Sequence, residues 1–209
     1  ITGDNITHTG VVSDAGGAAT LTDSGSGDVV TLANNSSLRD FNIAGGSANG
    51  VHGSNVSNVT ISGLNVSGAA LDGLLFDGVN GVTANNLSST GNTSDGLQID
   101  GSGPPIDGAG AYNFTGTTTL SNNTGHGLFV VGGGTYGFET LDAKDNGGDG
   151  VFVNSIGAAK LTITGGTISG NGLASFTGQS PGLAKRPQLD VTPDTLAPSG
   201  GPGGGSPCH

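Results

Sequence analysis

Apolar residues along this chain come in pairs two positions apart, and the pairs return at a fixed interval. Leu74 and Phe76, Leu97 and Ile99, Leu128 and Val130, and Val151 and Val153 each sit directly behind a glycine. Upstream of Gly73, Val59, Ile61, Leu64 and Val66 precede it by 14, 12, 9 and 7 residues. The same offsets hold Ser36, Leu38, Phe41 and Ile43 before Gly50, Val82, Ala84, Leu87 and Ser89 before Gly96, and Tyr136, Phe138, Leu141 and Ala143 before Gly150. A spacing of two places alternate side chains on one face of a strand and has no helical counterpart. Each repeat therefore predicts three short strands joined by tight polar corners.

The repeat itself is the stronger signal. Six segments align: NGVHGSN (49–55), DGLLFDG (72–78), DGLQIDG (95–101), HGLFVVG (126–132), DGVFVNS (149–155) and NGLASFT (171–177). Their glycines, Gly50, Gly73, Gly96, Gly127, Gly150 and Gly172, are 23, 23, 31, 23 and 22 apart. The long interval holds a Pro/Gly-rich insert, 101–110, and removing about eight residues there restores the period. One such coil cannot bury its own apolar face, so coils must stack and share a core. About seven coils at ~4.8 Å each predict a rod on the order of 30–35 Å long.

Corner chemistry agrees. Asn49, Asp72, Asp95, His126, Asp149 and Asn171 stand directly before the aligned glycines, and Asn92, Asn123 and Asn146 lie four residues before theirs. Gly, Asn and Asp tolerate the positive φ of tight corners, and stacked Asn side chains can bond along the rod axis. Strand–crossover–strand connections are right-handed, so the expected fold is all-β, a right-handed parallel β-helix. The repeat, over about residues 30–178, resembles that of the pectate-lyase-like β-helix superfamily. The parts are then a β-helix over 1–178, with irregular first coils over 1–34, and a tail or linker over 179–209. Pro marks that boundary: two of the eight prolines lie in the insert and six after residue 180. The start at Ile1 and the lack of an evident cap before residue 30 suggest a processed product or an excised piece.

Charge narrows the partners. The net charge is −11, from 16 acids and 5 bases. A surface this acidic disfavours nucleic acid and anionic lipid. No apolar run is long enough to cross a membrane. The single cysteine, Cys208, lies in the tail, where it would pair between chains or serve for attachment. A cysteine-free, acidic, Gly/Asn/Thr-rich body points to an extracellular or bacterial cell-surface location.

Three sets of residues suggest chemistry. Asn92-Thr93-Ser94-Asp95 and Gly125-His126-Gly127 resemble the N-T-D and G-H-G motifs of polygalacturonase-type glycoside hydrolases, which share the β-helix. The resemblance implies a catalytic carboxylate at Asp95 and an assisting group at His126; paired carboxylates are what glycoside hydrolysis needs. The family's adjacent Asp pair and its R-I-K motif have no counterpart here. His126 also shares a column with Asn49, Asp72, Asp95, Asp149 and Asn171, which favours a corner role. Asp142, Asp145 and Asp149, close together in DAKDNGGDG, are hard oxygen donors of the kind Ca²⁺ takes, against the simpler reading of a solvated acidic turn. No other cofactor is implied. Leu75, Phe129 and Phe152 point outward in one column, a partner surface unless the tail or the insert covers it.

The sequence-level reading is a non-enzymatic structural or adhesive segment, resembling a piece of an autotransporter-type passenger. Its expected partners are a surface protein or glycan of a host or neighbouring cell, or copies of itself joined end to end or laterally into fibres. The alternative is a polysaccharide-active enzyme, hydrolase or lyase, or its non-catalytic remnant.

Overall fold

The computed structural model describes residues 6–7, 10–12, 19–23, 25–101, 110–154, 159–179 and 188–191. Most of the insert, nearly all of the tail and Cys208 lie outside the described residues, as does part of the irregular start. Every strand pair in the described chain is parallel, and no helix occurs among the described residues. The chain winds as a parallel β-helix with two sheets. One stacks the short strands Val30–Thr31, Val51–Ser54, Leu74–Asp77, Leu97–Asp100, Leu128–Val131, Val151–Asn154 and Phe176–Gln179. The other stacks the long strands Ser57–Ser67, Asn80–Thr90, Ala111–Ser121 and Gly134–Lys144, with shorter strands continuing it at both ends.

Each long strand contains two of the three runs expected in a coil. Three of the four bend without losing the ladder because one residue in the middle takes a left-handed conformation; Gly134–Lys144, with Glu139 at that place, has no such residue. That column is Asp40, Gly63, Asn86 and Gly116, with φ of 57°, 60°, 52° and 64°. Asp40 lies over Gly63, and Asn86 over Gly116, so a Cβ on either glycine would meet the oxygen below it. Glycine is required there for space as well as for φ. A second left-handed column, Gly45, Gly68, Gly91, Asn122, Asp145 and Gly170, turns the chain out of the long sheet.

The expected core is the observed one. Columns Val51–Leu74–Leu97–Leu128–Val151 and Leu38–Ile61–Ala84–Phe114–Phe138–Ile163 run in register and are buried. Like side chains therefore stack on like. The Phe114 and Phe138 rings stack 4.4 Å apart and almost parallel, and Tyr112 stacks on Tyr136 at 5.1 Å. Burial pushes both tyrosine hydroxyls above their usual pKa, and each donates to a carbonyl, of Val79 and Gly133 respectively.

Two details of the period differ from expectation. The eight extra residues of the long interval are not all in the insert. Val82 pairs with Tyr112, 30 residues on, but Leu87 pairs with Thr118, 31 on. Seven extra residues precede Tyr112 and the eighth is a bulge at Gly116-Thr117, one extra residue absorbed by the bend. The last segment is also shifted. Val151 pairs with Phe176 and its N–H bonds the Ser175 carbonyl. Ser175, not Gly172, therefore continues the glycine column, and Asn171 belongs with Asn146 rather than with Asp149.

Candidate functional site

The corner entering the short-strand sheet carries the residues with chemical potential, and it is built as a ladder. The Asp28 carboxylate accepts the Asn49 N–H, Asn49 Oδ1 the Asp72 N–H, and Asp72 Oδ1 the Asp95 N–H. Asp95 Oδ1 then accepts the His126 N–H at 2.6 Å, His126 Nδ1 the Asp149 N–H at 2.8 Å, and Asp149 Oδ1 the Ala174 N–H at 2.8 Å. Each side chain reaches one coil along the axis and caps a backbone donor the turn leaves unpaired. Asp72, Asp95 and Asp149 are only 6%, 5% and 3% exposed.

A second ladder runs beside it, in the opposite sense. Asn92 Oδ1 accepts the Ala69 N–H, Asn123 Oδ1 the Asn92 N–H, Asn146 Oδ1 the Asn123 N–H, and Asn171 Oδ1 the Asn146 N–H. Their amide NH₂ groups donate to the next Asn in line or to a carbonyl, such as Ser89, Leu120 or Ala143. This column explains the neighbouring glycines: a Cβ on Gly96 would press on Asn123 Nδ2 and on the Gly127 carbonyl.

Asp95 and His126 are thus brought together, but through the backbone N–H of His126 rather than through its ring. Spacing alone would allow a carboxylate pair: Asp72 and Asp95 lie one coil apart, and Asp149 two coils beyond Asp95, roughly 5 and 10 Å by strand spacing. What is missing is access, because the three residues are buried and one oxygen of each already holds a backbone donor. Burial pushes the Asp95 carboxyl up to about 6; the His126 N–H bond pulls it back, and the Asp72 charge adds to the rise.

His126 holds its ring in place by more than that bond. Nδ1 is an acceptor, so the neutral ring carries its proton on Nε2. The ring stacks on Phe152 at 4.9 Å and tilts against Phe129 at 5.5 Å, and the two phenyl rings meet edge to face at 5.3 Å. Phe129 and Phe152 sit half-buried in the outward column His52–Leu75–Gln98–Phe129–Phe152. The expected stripe of Leu75, Phe129 and Phe152 is therefore in register, with His126 a member that spacing did not reveal. At the other end of the column, His52 Nδ1 meets the Asp28 carboxylate at 2.8 Å.

His126→Ala removes the acceptor for the Asp149 N–H and the ring stack together. A loss of about 1–3 kcal/mol in urea unfolding is expected, and His126→Asn should recover most of it, since Asn49 already fills this column. Equal losses in both variants would contradict the acceptor role.

Asp142, Asp145 and Asp149 do not converge. Asp142 accepts the Thr167 N–H and meets Lys144 Nζ at 3.1 Å. Asp145 occupies the left-handed corner column at φ 56°. Asp149 is in the inner ladder. Among the described residues no three His, Cys, Asp or Glu side chains gather as a metal site.

No family model matches the chain, and no curated protein matches its sequence. Among solved structures it is similar to the periplasmic alginate epimerase AlgG, with a TM-score of 0.52 at 14% identity, over 87% of this chain and 51% of that one. What the two share is the fold. This chain spans about half the length of AlgG. The mannuronan C-5 epimerase AlgE6 A-module of Azotobacter vinelandii also matches, at 14% identity and a TM-score of 0.34, over 90% of this chain and 88% of that one.

Proposed function

We propose that this segment is a non-enzymatic β-helical rod of an exported surface protein, whose function is to space and present its lateral faces to a partner. One observation carries the reading: the carboxylates and the imidazole that resemble catalytic groups each accept a main-chain N–H of the adjoining coil. A group with that duty and so little exposure serves the stack rather than a substrate. The outward column with Leu75, Phe129, Phe152 and the neighbouring His126 ring is the contact face this reading selects. A glycan or a surface protein of another cell, or a second rod, is the partner class.

A polysaccharide-active role is the second reading, favoured by the shared fold with an alginate epimerase. The net charge of −11 opposes it for acidic polymers, because a polyanion approaching this rod is repelled. Incubation with alginate, pectin-like and other acidic polysaccharides separates the two. No change in chain length, unsaturation or uronate composition is expected. Turnover by the wild type that vanishes in Asp95→Asn would overturn the rod reading. For assembly, negative-stain images of concentrated protein should show rods associating through the aromatic face if the partner is a second copy, and Phe152→Glu should leave single particles.

A further inference from the structure

We propose that the corner ladder makes the rod proton-responsive, so that its central coils become more stable as the surroundings turn from neutral to mildly acidic. The geometry supplies the parts. Asp72 and Asp95 are successive rungs of one column, both nearly out of solvent. Each uses one oxygen on the next coil's N–H, and the charges of the two carboxylates face each other along the axis. The titratable groups around Asp95 are Asp72 on the coil before, His126 on the coil after, and Asp149 beyond His126. Among the described residues no Lys or Arg pairs with Asp72 or Asp95; Lys144 meets Asp142 instead, and Arg39 and Lys160 are exposed on strands of the other sheet.

Two stacked, unpaired carboxylates in a site short of water resist ionising together. A proton on one of them removes the repulsion and leaves the N–H acceptor in place, because a protonated carboxyl keeps its carbonyl oxygen. Burial pushes the Asp95 carboxyl in that direction, up to about 6, with the Asp72 charge adding to the rise and the His126 contacts opposing it. An unfolded chain would hold the same carboxyl near 3.9. Between those values the folded state binds a proton that the unfolded state lacks, so stability rises as pH falls through 6 and the gain is complete near 4. His126 faces the same site, through its N–H on Asp95 and its Nδ1 on the Asp149 N–H. A ladder of Asn alone, like the one beside it, would have no such response.

The test compares thermal melts at pH 7.5 and 5.0 for wild type, Asp95→Asn and Asp145→Asn. Asp145→Asn removes the same charge from an exposed, left-handed corner where Asn is at home, and so controls for the general relief of negative charge. Asp95→Asn should melt higher than wild type at pH 7.5 by about 3–5 °C and should lose that much of the gain on acidification, while Asp145→Asn keeps it. Direct observation of the Asp95 carboxyl carbon by NMR in the wild type serves where a variant folds poorly. Its midpoint should lie near 6, well above the ordinary aspartate value of about 3.9. The proposal is overturned if Asp95→Asn gains as much on acidification as Asp145→Asn, or if the Asp95 carboxyl carbon titrates near about 3.9.

Discussion

Asn123→Ala should cost the fold far more than its small change in volume suggests. Asn123 is 1% exposed, and its side chain accepts from both the backbone N–H and the Nδ2 of Asn92 while donating to the Ser89 carbonyl and Asn146 Oδ1. Removing it orphans the Asn92 N–H and takes one bond each from Asn92 Nδ2, the Ser89 carbonyl and Asn146 Oδ1, where water does not enter. The orphan costs about 1–3 kcal/mol and each of the three lost bonds about 0.5–1.5, so a total near 3–6 kcal/mol follows, a large part of a typical stability of 5–15 kcal/mol. Asn65→Ala is the contrast. Asn65 also bonds an Asn one coil away, Asn42, but it does so in solvent, and its loss should stay within about 0.5 kcal/mol. Urea midpoints of the two variants measure the difference. Equal midpoints would mean that the Asn column is not an internal ladder.

Leu128→Asp should prevent folding, while Phe129→Asp, one residue on, should still fold. Leu128 is fully buried between Leu97 and Val151 in the innermost column, so an aspartate there is a charge without water or counterion. Phe129 points to the outer face in the same strand. An aspartate there loses the ring contacts with Phe152 and His126 but keeps its hydration. The expected outcome is an insoluble or disordered Leu128→Asp product and a folded Phe129→Asp protein with a modestly lowered midpoint. The reverse order would mean that the strand faces are inverted, because a slip of one residue exchanges inside for outside.

The parts of this structure that were legible in the sequence are those in which two periods agree. Leu74, Leu97, Leu128 and Val151 recur with the coil and alternate along each strand, and both signals name the same inward face. The corner position of Asp95 and His126 was legible for a related reason, since Asn49, Asp72 and Asp149 share their column. The expected positive φ is absent there, however: these side chains serve as acceptors, and the left-handed residues fall in other columns. Legibility ended where identity and geometry disagree. Gly172 looks like the next member of the glycine column, but the coil after Gly150 is two residues longer, and Asn146 bonds Asn171, 25 residues on. The polar acceptor, not the glycine, anchors that turn. Asp28 escaped notice because Val29 follows it, so the Asp-Gly signature of the column is missing although the hydrogen bond to Asn49 is present. The His126 ring contacts were hidden for another reason. They link a corner to an outward strand position on its own coil and the next, a juxtaposition no fixed spacing encodes. The closeness of Asp142, Asp145 and Asp149 along the chain misled in the opposite way, since strand, corner and inner turn carry them to three different tasks.

Residue-resolved hydrogen exchange tests the central claim most directly, because corners of ordinary proteins exchange quickly and strands slowly. If the side-chain ladders carry the corners, the amides of Asn92, Asp95, Asn123, His126, Asn146 and Asp149 should be protected to the same degree as those of Leu97 and Leu128 in the strands. Fast exchange at those six corner amides alongside slow exchange in the strands would contradict it.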